Sequence, residues 1–181
     1  MDIDKKVWEV LCTEEQIRER TQTLGAAITQ DYQNRSLLVV SLLRGSFIFA
    51  ADLVRAIDLK LKIDFMISSS YEHGEETSGV VTISKDVDQP VEDMDVLVVD
   101  DIADSGLTMC HVLNHLAQKK PRSLRCCVLL DKPSRRKAEL EPDYVGFTIP
   151  DRFVVGYGLN YGDYYRNIPY VFAVTDENRP D

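Results

Sequence analysis

The densest chemistry in the chain lies in Val98-Val99-Asp100-Asp101-Ile102-Ala103-Asp104-Ser105-Gly106-Leu107-Thr108-Met109. Asp100, Asp101 and Asp104 bring three carboxylates close together. Ser105, Gly106 and Thr108 follow in a small polar turn, and a helical pattern starts at Leu107. Gly and hydroxyl residues just ahead of a helix present backbone N–H groups to an anion, with the helix dipole behind them. The stretch thus pairs a phosphate cradle with carboxylates suited to hydroxyl groups or a metal ion. Adjacent Asp100 and Asp101 repel each other and have no packing use at a strand end, so they read as functional. Arg44-Gly45 and Asp131-Lys132 are weaker signals of the same kind. Arg44 is a permanent cation, Gly45 lets backbone approach an anion, and Lys132 is a point-charge donor. His111 and His115 stand one helical turn apart, a metal-binding spacing, but no third ligand lies near them in sequence.

These residues need elements to hold them. Thr13-Glu14-Glu15-Gln16 reads as a capping box, opening a helix to about Asp31 with Ile17, Leu24 and Ile28 on its apolar face. Leu37–Leu43 is a continuous apolar run, the pattern of a buried strand, and ends at Arg44-Gly45-Ser46. Phe47–Ile57 reads as a helix with Phe47, Ala50, Ala51, Val54 and Ile57 inward. Ile63–Ser70 and Val80–Ile83 read as strands around the polar stretch Ser70–Ser78, which reads either as a plain hairpin loop or as a mobile lid over an active site. Val96–Val99 is a strand that ends at the two aspartates. The helix after it turns Leu107, Val112, Leu113, Leu116 and Ala117 inward and stops at Lys119-Lys120-Pro121. Leu124–Leu130, Tyr144–Ile149, Phe153–Tyr157 and Tyr170–Val174 complete the strands, with a helical turn at Ser134–Glu139. Strands alternating with helices predict an α/β fold with a mostly parallel sheet. In such a sheet, ligand groups collect at the carboxyl ends of the strands, where Arg44, Asp100 and Lys132 all fall.

The totals narrow the function. A chain of 181 residues with 44% hydrophobic and 28% charged residues suits one globular domain. Its net charge of −9 argues against non-specific nucleic-acid binding, which rests on a basic surface. No apolar run reaches the length of a membrane span, and Met1–Lys6 carries no apolar signal core. Cys12, Cys110, Cys126 and Cys127 are not spaced as a zinc site. They read as free thiols of a cytoplasmic protein, with Cys126 and Cys127 on opposite faces of one strand.

Val98–Met109 resembles the phosphoribosyl-pyrophosphate motif of the type I phosphoribosyltransferases: apolar residues, two acids, two variable residues, Asp, Ser or Thr, Gly, any residue, Thr. Other stretches narrow the resemblance to the hypoxanthine-guanine phosphoribosyltransferases. Leu43-Arg44-Gly45-Ser46 resembles their pyrophosphate loop, and Ser70-Tyr71 the pair on their lid. Lys132 falls at their purine-recognising lysine. Pro150–Leu159 resembles their base-binding hood, and Arg166 a further pyrophosphate contact. The likeness runs from about Leu37 to Val174.

The resemblance implies the type I phosphoribosyltransferase fold over residues 1–181 as a single domain. Its core would span about 10–140, with a hood from the N-terminal segment and about 141–175. It implies transfer of ribose 5-phosphate from phosphoribosyl pyrophosphate to hypoxanthine or guanine, giving IMP or GMP in purine salvage, with Mg2+ as cofactor. In this scheme Asp100 and Asp101 hold the ribose hydroxyls and the metal, and Asp104 is the base near purine N7. Backbone N–H groups of Asp104, Ser105, Gly106, Leu107 and Thr108 hold the 5′-phosphate. The Leu43–Arg44 peptide, expected to be cis, joins Gly45, Arg166, Ser70 and Tyr71 around the pyrophosphate. Lys132 donates to the 6-oxo group, Phe153 stacks on the base, and the Val154 and Asn160 carbonyls meet the purine. Two positions depart from the family: Arg44 stands where Lys is common, and Asn160 where Asp is usual. The second implies weaker binding of a second metal, or compensation by Asp163. Family members are usually homodimers or homotetramers.

Three other readings compete. A xanthine-preferring transferase is the nearest rival within the family. An RNA-binding regulator on the same fold would need a basic face, against which the charge argues. A signalling receiver domain carries its aspartate pair near the N-terminus with a separate central Asp, an order this chain lacks.

Overall fold

The structure is a computed structural model that describes residues 9–70 and 81–174. It opens with strand β1 (Glu9–Cys12) and helix α1 (Glu14–Asp31). Thr13 caps the helix as its sequence predicts: Gln16 N–H donates to Thr13 Oγ1 at 3.2 Å, and Thr13 N–H donates to Gln16 Oε1 at 2.9 Å. Ile17, Thr21, Leu24, Gly25 and Ile28 form its buried stripe.

Strand β2 (Leu37–Leu43) leads into helix α2 (Phe47–Ala56), then β3 (Leu61–Ser70), β4 (Val81–Lys85) and β5 (Asp95–Ala103). Helix α3 (Leu107–Ala117), strand β6 (Ser123–Asp131), a 3-10 turn (Pro133–Arg135), β7 (Tyr144–Thr148), β8 (Phe153–Val155) and β9 (Val171–Val174) follow. Six strands form one sheet in the order β4-β3-β2-β5-β6-β7, and β1, β9 and β8 form a second, smaller antiparallel sheet. In the larger sheet only β3 and β4 run antiparallel.

The sheet is buried on both faces because its strands alternate. Leu37, Val39, Leu97, Val99, Cys127 and Leu129 point into the core shared with α1 and α2. Leu38, Val40, Val96, Val98, Cys126 and Val128 point into the core shared with α3. Each such Val or Leu contributes about 1.5–3 kcal/mol on burial. Cys126 and Cys127 fall on opposite faces as predicted, and all four cysteines are free thiols. The chain leaves β2 toward β3 on one side, whereas β5 leads to β6 on the other. The carboxyl ends of β2 and β5 therefore flank the switch point where open α/β sheets bind ligands.

The structure differs from the sequence expectation in several places: the turn after β6 spans Pro133–Arg135 rather than Ser134–Glu139, β8 stops at Val155 rather than Tyr157, and three further differences bear on the site or the core. Strand β5 does not end at Val99 but runs through both aspartates to Ala103. It continues because β6 still pairs with it as far as Ala103↔Asp131, whereas its register with β2 stops at Ser41↔Val99. Helix α2 turns Phe49, Ala50 and Leu53 inward, leaving Phe47 and Ala51 exposed and Val54 half-buried. Its sequence is apolar nearly all round, so periodicity does not fix the inner face. In α3, Met109, Val112 and Leu116 are buried, while Leu107 and Leu113 are half-buried and Ala117 is exposed. Among the described residues no helix is long and apolar enough to cross a membrane.

Candidate active site

The loop after β2 is tied from beneath. Ser46 Oγ donates to Leu42 O at 2.5 Å and lies 2.7 Å from Ser41 Oγ, and both serines are fully buried. Ala50 N–H donates to Ser46 O at 2.8 Å, which starts α2. The Leu43–Arg44 peptide is cis, as the resemblance implied, and Arg44 is exposed. Gly45 faces the next strand so closely that a β-carbon there would lie 1.7 Å from Asp101 Oδ2.

Asp100 and Asp101 stand on the last turns of the pleat of β5, both half-buried. Asp101 N–H donates to Asp100 Oδ1 at 2.9 Å. Burial, and then the neighbouring Asp101 carboxylate, push Asp100 well above the usual carboxylate range. Burial also raises Asp101, opposed by its hydrogen bond with Asp100 and by the charge of Arg166. Two adjacent hard oxygen donors that resist ionising together fit a dication such as Mg2+.

The turn Asp104-Ser105-Gly106 follows. Gly106 sits in the left-handed region at φ 80°, and a β-carbon there would lie 2.9 Å from Arg136 Cδ. Gly106, the residue before α3, has no side chain to cap it, and among the described residues Ser105 Oγ accepts only from Leu107 N–H, at 3.4 Å. The first turn of a helix leaves N–H groups without intrahelical acceptors, which an anion can take. The Ser105 carbonyl is fixed by the N–H groups of Lys137 and Ala138 at 2.9 and 3.1 Å.

Lys132 is brought to this turn by β6. Its N–H donates to Ala103 O at 3.0 Å, it is 5% exposed, and Nζ lies 3.7 Å from Asp104 Oδ2. Arg135 Nε lies 2.9 Å from Asp104 Oδ1, and Arg135 Nη1 lies 3.4 Å from Asp151 Oδ1. Arg136 Nη1 donates to Asp104 O at 3.0 Å, and its Nη2 pairs with Asp131.

The smaller sheet supplies the opposite wall. Phe153 on β8 is 54% exposed, and its ring meets Tyr161 edge-on at 5.8 Å and 84°. Val154 is buried and paired with Ala173. Beyond β8 the chain folds back on itself through mutual Gly156–Leu159 backbone bonds. Gly158, at φ 104°, stands where a β-carbon would lie 2.0 Å from the Gly45 carbonyl oxygen. Arg166 Nη1 donates to Gly158 O at 2.6 Å, and Gly158 N–H donates to Arg166 O at 2.9 Å. Asn160 Nδ2 donates to Gly162 O.

The family model of the phosphoribosyl transferase domain matches residues 8–162. The chain belongs to this family. Its sheet, helices and smaller sheet make the type I phosphoribosyltransferase fold. It is similar to a curated hypoxanthine-guanine phosphoribosyltransferase of Staphylococcus aureus, 48% identical over 169 residues, 93% of this chain and 94% of the relative. One from Aquifex aeolicus is 47% identical over 176 residues, 97% of this chain and 99% of the relative. A crystal structure of a hypoxanthine phosphoribosyltransferase from Staphylococcus aureus matches with a TM-score of 0.91 at 47% identity, covering 96% of this chain and 94% of the other.

In this phosphoribosyltransferase the predicted residues fall into two groups. Arg44, Gly45, Asp101 and Arg166 gather at the ends of β2 and β5, joined by Gly158, which the sequence reading did not single out. Asp104, Ser105, Gly106 and Lys132 adjoin at the start of α3 and the end of β6. The contact from Arg135 to Asp151 links the second group to the turn before Phe153. Ser70 ends β3, while Tyr71 and the lid expected to run to Ser78 lie outside the described residues. His115 is engaged elsewhere, with Nε2 at 2.8 Å from Asp86 Oδ2. Sequence reasoning missed Arg135, Arg136 and the role of Gly158. The basic run Arg135-Arg136-Lys137, directly after a strand-end lysine, was the available signal.

Proposed function

We propose that this phosphoribosyltransferase moves the 5-phosphoribosyl group from phosphoribosyl pyrophosphate to hypoxanthine and guanine, giving IMP and GMP in purine salvage. The observation that carries the reading is Lys132: a 5% exposed residue whose ammonium lies 3.7 Å from Asp104 Oδ2, beside the turn Asp104-Ser105-Gly106. A buried ammonium needs acceptors, and the 6-oxo oxygen of hypoxanthine or guanine supplies one where the 6-amino group of adenine does not. The names of the relatives support the same substrates.

In the reaction a purine nitrogen attacks C1′ of the donor, and the bond from C1′ to the pyrophosphate oxygen breaks. Asp104 takes the proton from N7. The amides of Asp104, Ser105, Gly106, Leu107 and Thr108, with the Ser105 and Thr108 hydroxyls, hold the 5′-phosphate. Asp100 and Asp101 hold the ribose hydroxyls and would hold Mg2+. When bound, that ion neutralises charge on the leaving pyrophosphate. Arg44, Gly45, the Leu43–Arg44 peptide and Arg166 hold the pyrophosphate, and Ser70 and Tyr71 close over it and keep water out. Phe153 stacks on the base, and the Val154 and Asn160 carbonyls read its edge. Residues 1–181 act as one domain, with the smaller sheet as the purine hood. The free thiols support a cytoplasmic enzyme, and a homodimer or homotetramer is the expected assembly, measurable by light scattering.

Pyrophosphate release tests the reading, with hypoxanthine, guanine, xanthine and adenine supplied in turn. Turnover is expected with hypoxanthine and guanine. Turnover with xanthine alone would move the assignment to the xanthine-preferring transferase, and none with any 6-oxopurine would overturn it.

A further inference from the structure

We infer that Arg135 is a positioning residue that orients the Asp104 carboxylate by an ion pair to one oxygen and leaves the other to accept a proton. The inference rests on the reading of Asp104 as the proton acceptor.

Each oxygen of Asp104 has its own cation. Oδ1 lies 2.9 Å from Arg135 Nε, and Oδ2 lies 3.7 Å from Lys132 Nζ. The two cations differ in kind. Arg135 meets Oδ1 as an ion pair, Oδ1 taking no hydrogen bond among the described residues, and its guanidinium is anchored on the far side by the Nη1 bond to Asp151, whereas Lys132 is a point charge on a flexible stem. A purine whose 6-oxo group engages the Lys132 ammonium draws that ammonium away from Oδ2. Oδ2 is then the oxygen left to receive the N7 proton, while Oδ1 stays on Arg135. The carboxylate keeps its orientation as its partner on the other side changes.

The backbone beneath Arg135 is fixed for such a task. Arg135 N–H donates to Lys132 O at 3.1 Å, and the N–H groups of Lys137 and Ala138 grip Ser105 O at 2.9 and 3.1 Å. Arg136 Nη1 donates to Asp104 O at 3.0 Å. The segment from Pro133 to Ala138 is thus stitched to the loop that carries Asp104. The second arm of Arg135 reaches Asp151 at 3.4 Å, in the turn two residues before Phe153. One side chain therefore spans from the proton acceptor to the wall that carries the stacking ring. Packing does not require it, since the Arg135 side chain is 51% exposed.

The test is a kinetic cycle of Arg135→Ala and Arg135→Lys, each alone and combined with Asp104→Asn. Arg135→Ala is expected to lower kcat roughly 10- to 100-fold, the cost of a misplaced reacting group, with KM for phosphoribosyl pyrophosphate and the unfolding midpoint unchanged. Arg135→Lys should recover part of the rate. In the Asp104→Asn background the loss of Arg135 should cost nothing further, because both changes disable one unit. A wild-type kcat in Arg135→Ala would overturn the inference. So would an equal loss in both backgrounds, or a rise in kcat. Asp104→Asn at full rate would instead overturn the proton-acceptor reading beneath it, whatever Arg135→Ala does.

Discussion

Gly45 and Asp101 meet without room for one more carbon: a β-carbon on Gly45 would lie 1.7 Å from Asp101 Oδ2. Gly158 approaches the same glycine, since its own β-carbon would lie 2.0 Å from the Gly45 carbonyl oxygen. The end of β2 is therefore set against the Asp101 side chain of β5 and against the backbone of the loop after β8. Gly45→Ala must displace the Asp101 carboxylate, the loop, or both. The expected result is a fall in kcat/KM of about 100-fold, as for a shift of about 1 Å in a reacting centre. Steady-state kinetics on a variant with wild-type circular dichroism checks it.

Asp100 has a pH signature. Its folded-state pKa lies above the ordinary 3.8 because of burial and the adjacent Asp101 carboxylate. Between 3.8 and that raised value the folded protein binds more protons than the unfolded chain, so stability falls as pH rises through this window. Asp100→Asn removes the effect. Its metal-free thermal midpoint should match that of the natural protein near pH 4. It should exceed it near neutrality by about 2–4 °C, the shift that about 1 kcal/mol produces in a chain of this size. Added Mg2+ should raise the natural protein's midpoint more than the variant's. Thermal melts at the two pH values, with and without Mg2+, make the comparison.

Phe153 is over half exposed, so its value lies in what it can cover. Phe153→Ala should raise the purine KM about 5- to 10-fold, the loss of about 1–1.5 kcal/mol of ring stacking. It should leave KM for phosphoribosyl pyrophosphate unchanged and stability within about 0.5 kcal/mol. Initial rates with each substrate varied separately distinguish the two KM values.

Asn160 stands where the resembled family usually has Asp, and its amide donates to Gly162 O. Asn160→Asp exchanges that donor for a carboxylate. The variant should reach half-maximal rate at a lower Mg2+ concentration than the natural protein. Equal magnesium dependence of the two would show that Asn160 costs the site no metal affinity.

Much of the frame was legible because it is written locally. The capping box at Thr13 and Gln16 needs only four residues, and the apolar runs Leu37–Leu43 and Leu124–Leu130 read directly as buried strands. The turn at Asp104–Gly106, with Gly106 at φ 80°, is equally local. What escaped depends on distant partners. β1 reads as nothing by itself, because it forms by pairing Glu9 with Ala173 at the other end of the described chain. The inner face of α2 is decided by how the Ser46 anchor rotates an almost wholly apolar helix against the sheet. Arg135 looks like one more surface cation until the fold brings Asp104 and Asp151 to its two arms.

The central claim is that a buried Lys132 selects a 6-oxopurine as acceptor at this site. Its most direct test is chromatographic detection of nucleotides formed from phosphoribosyl pyrophosphate and an equimolar mixture of hypoxanthine and adenine, with the natural protein and with Lys132→Met. The account predicts IMP without AMP from the natural protein. It predicts a loss of IMP formation in Lys132→Met of about 10²-fold or more, since a site built to bond the oxo group is left without its donor. AMP from the natural protein, or undiminished IMP from Lys132→Met, would contradict it.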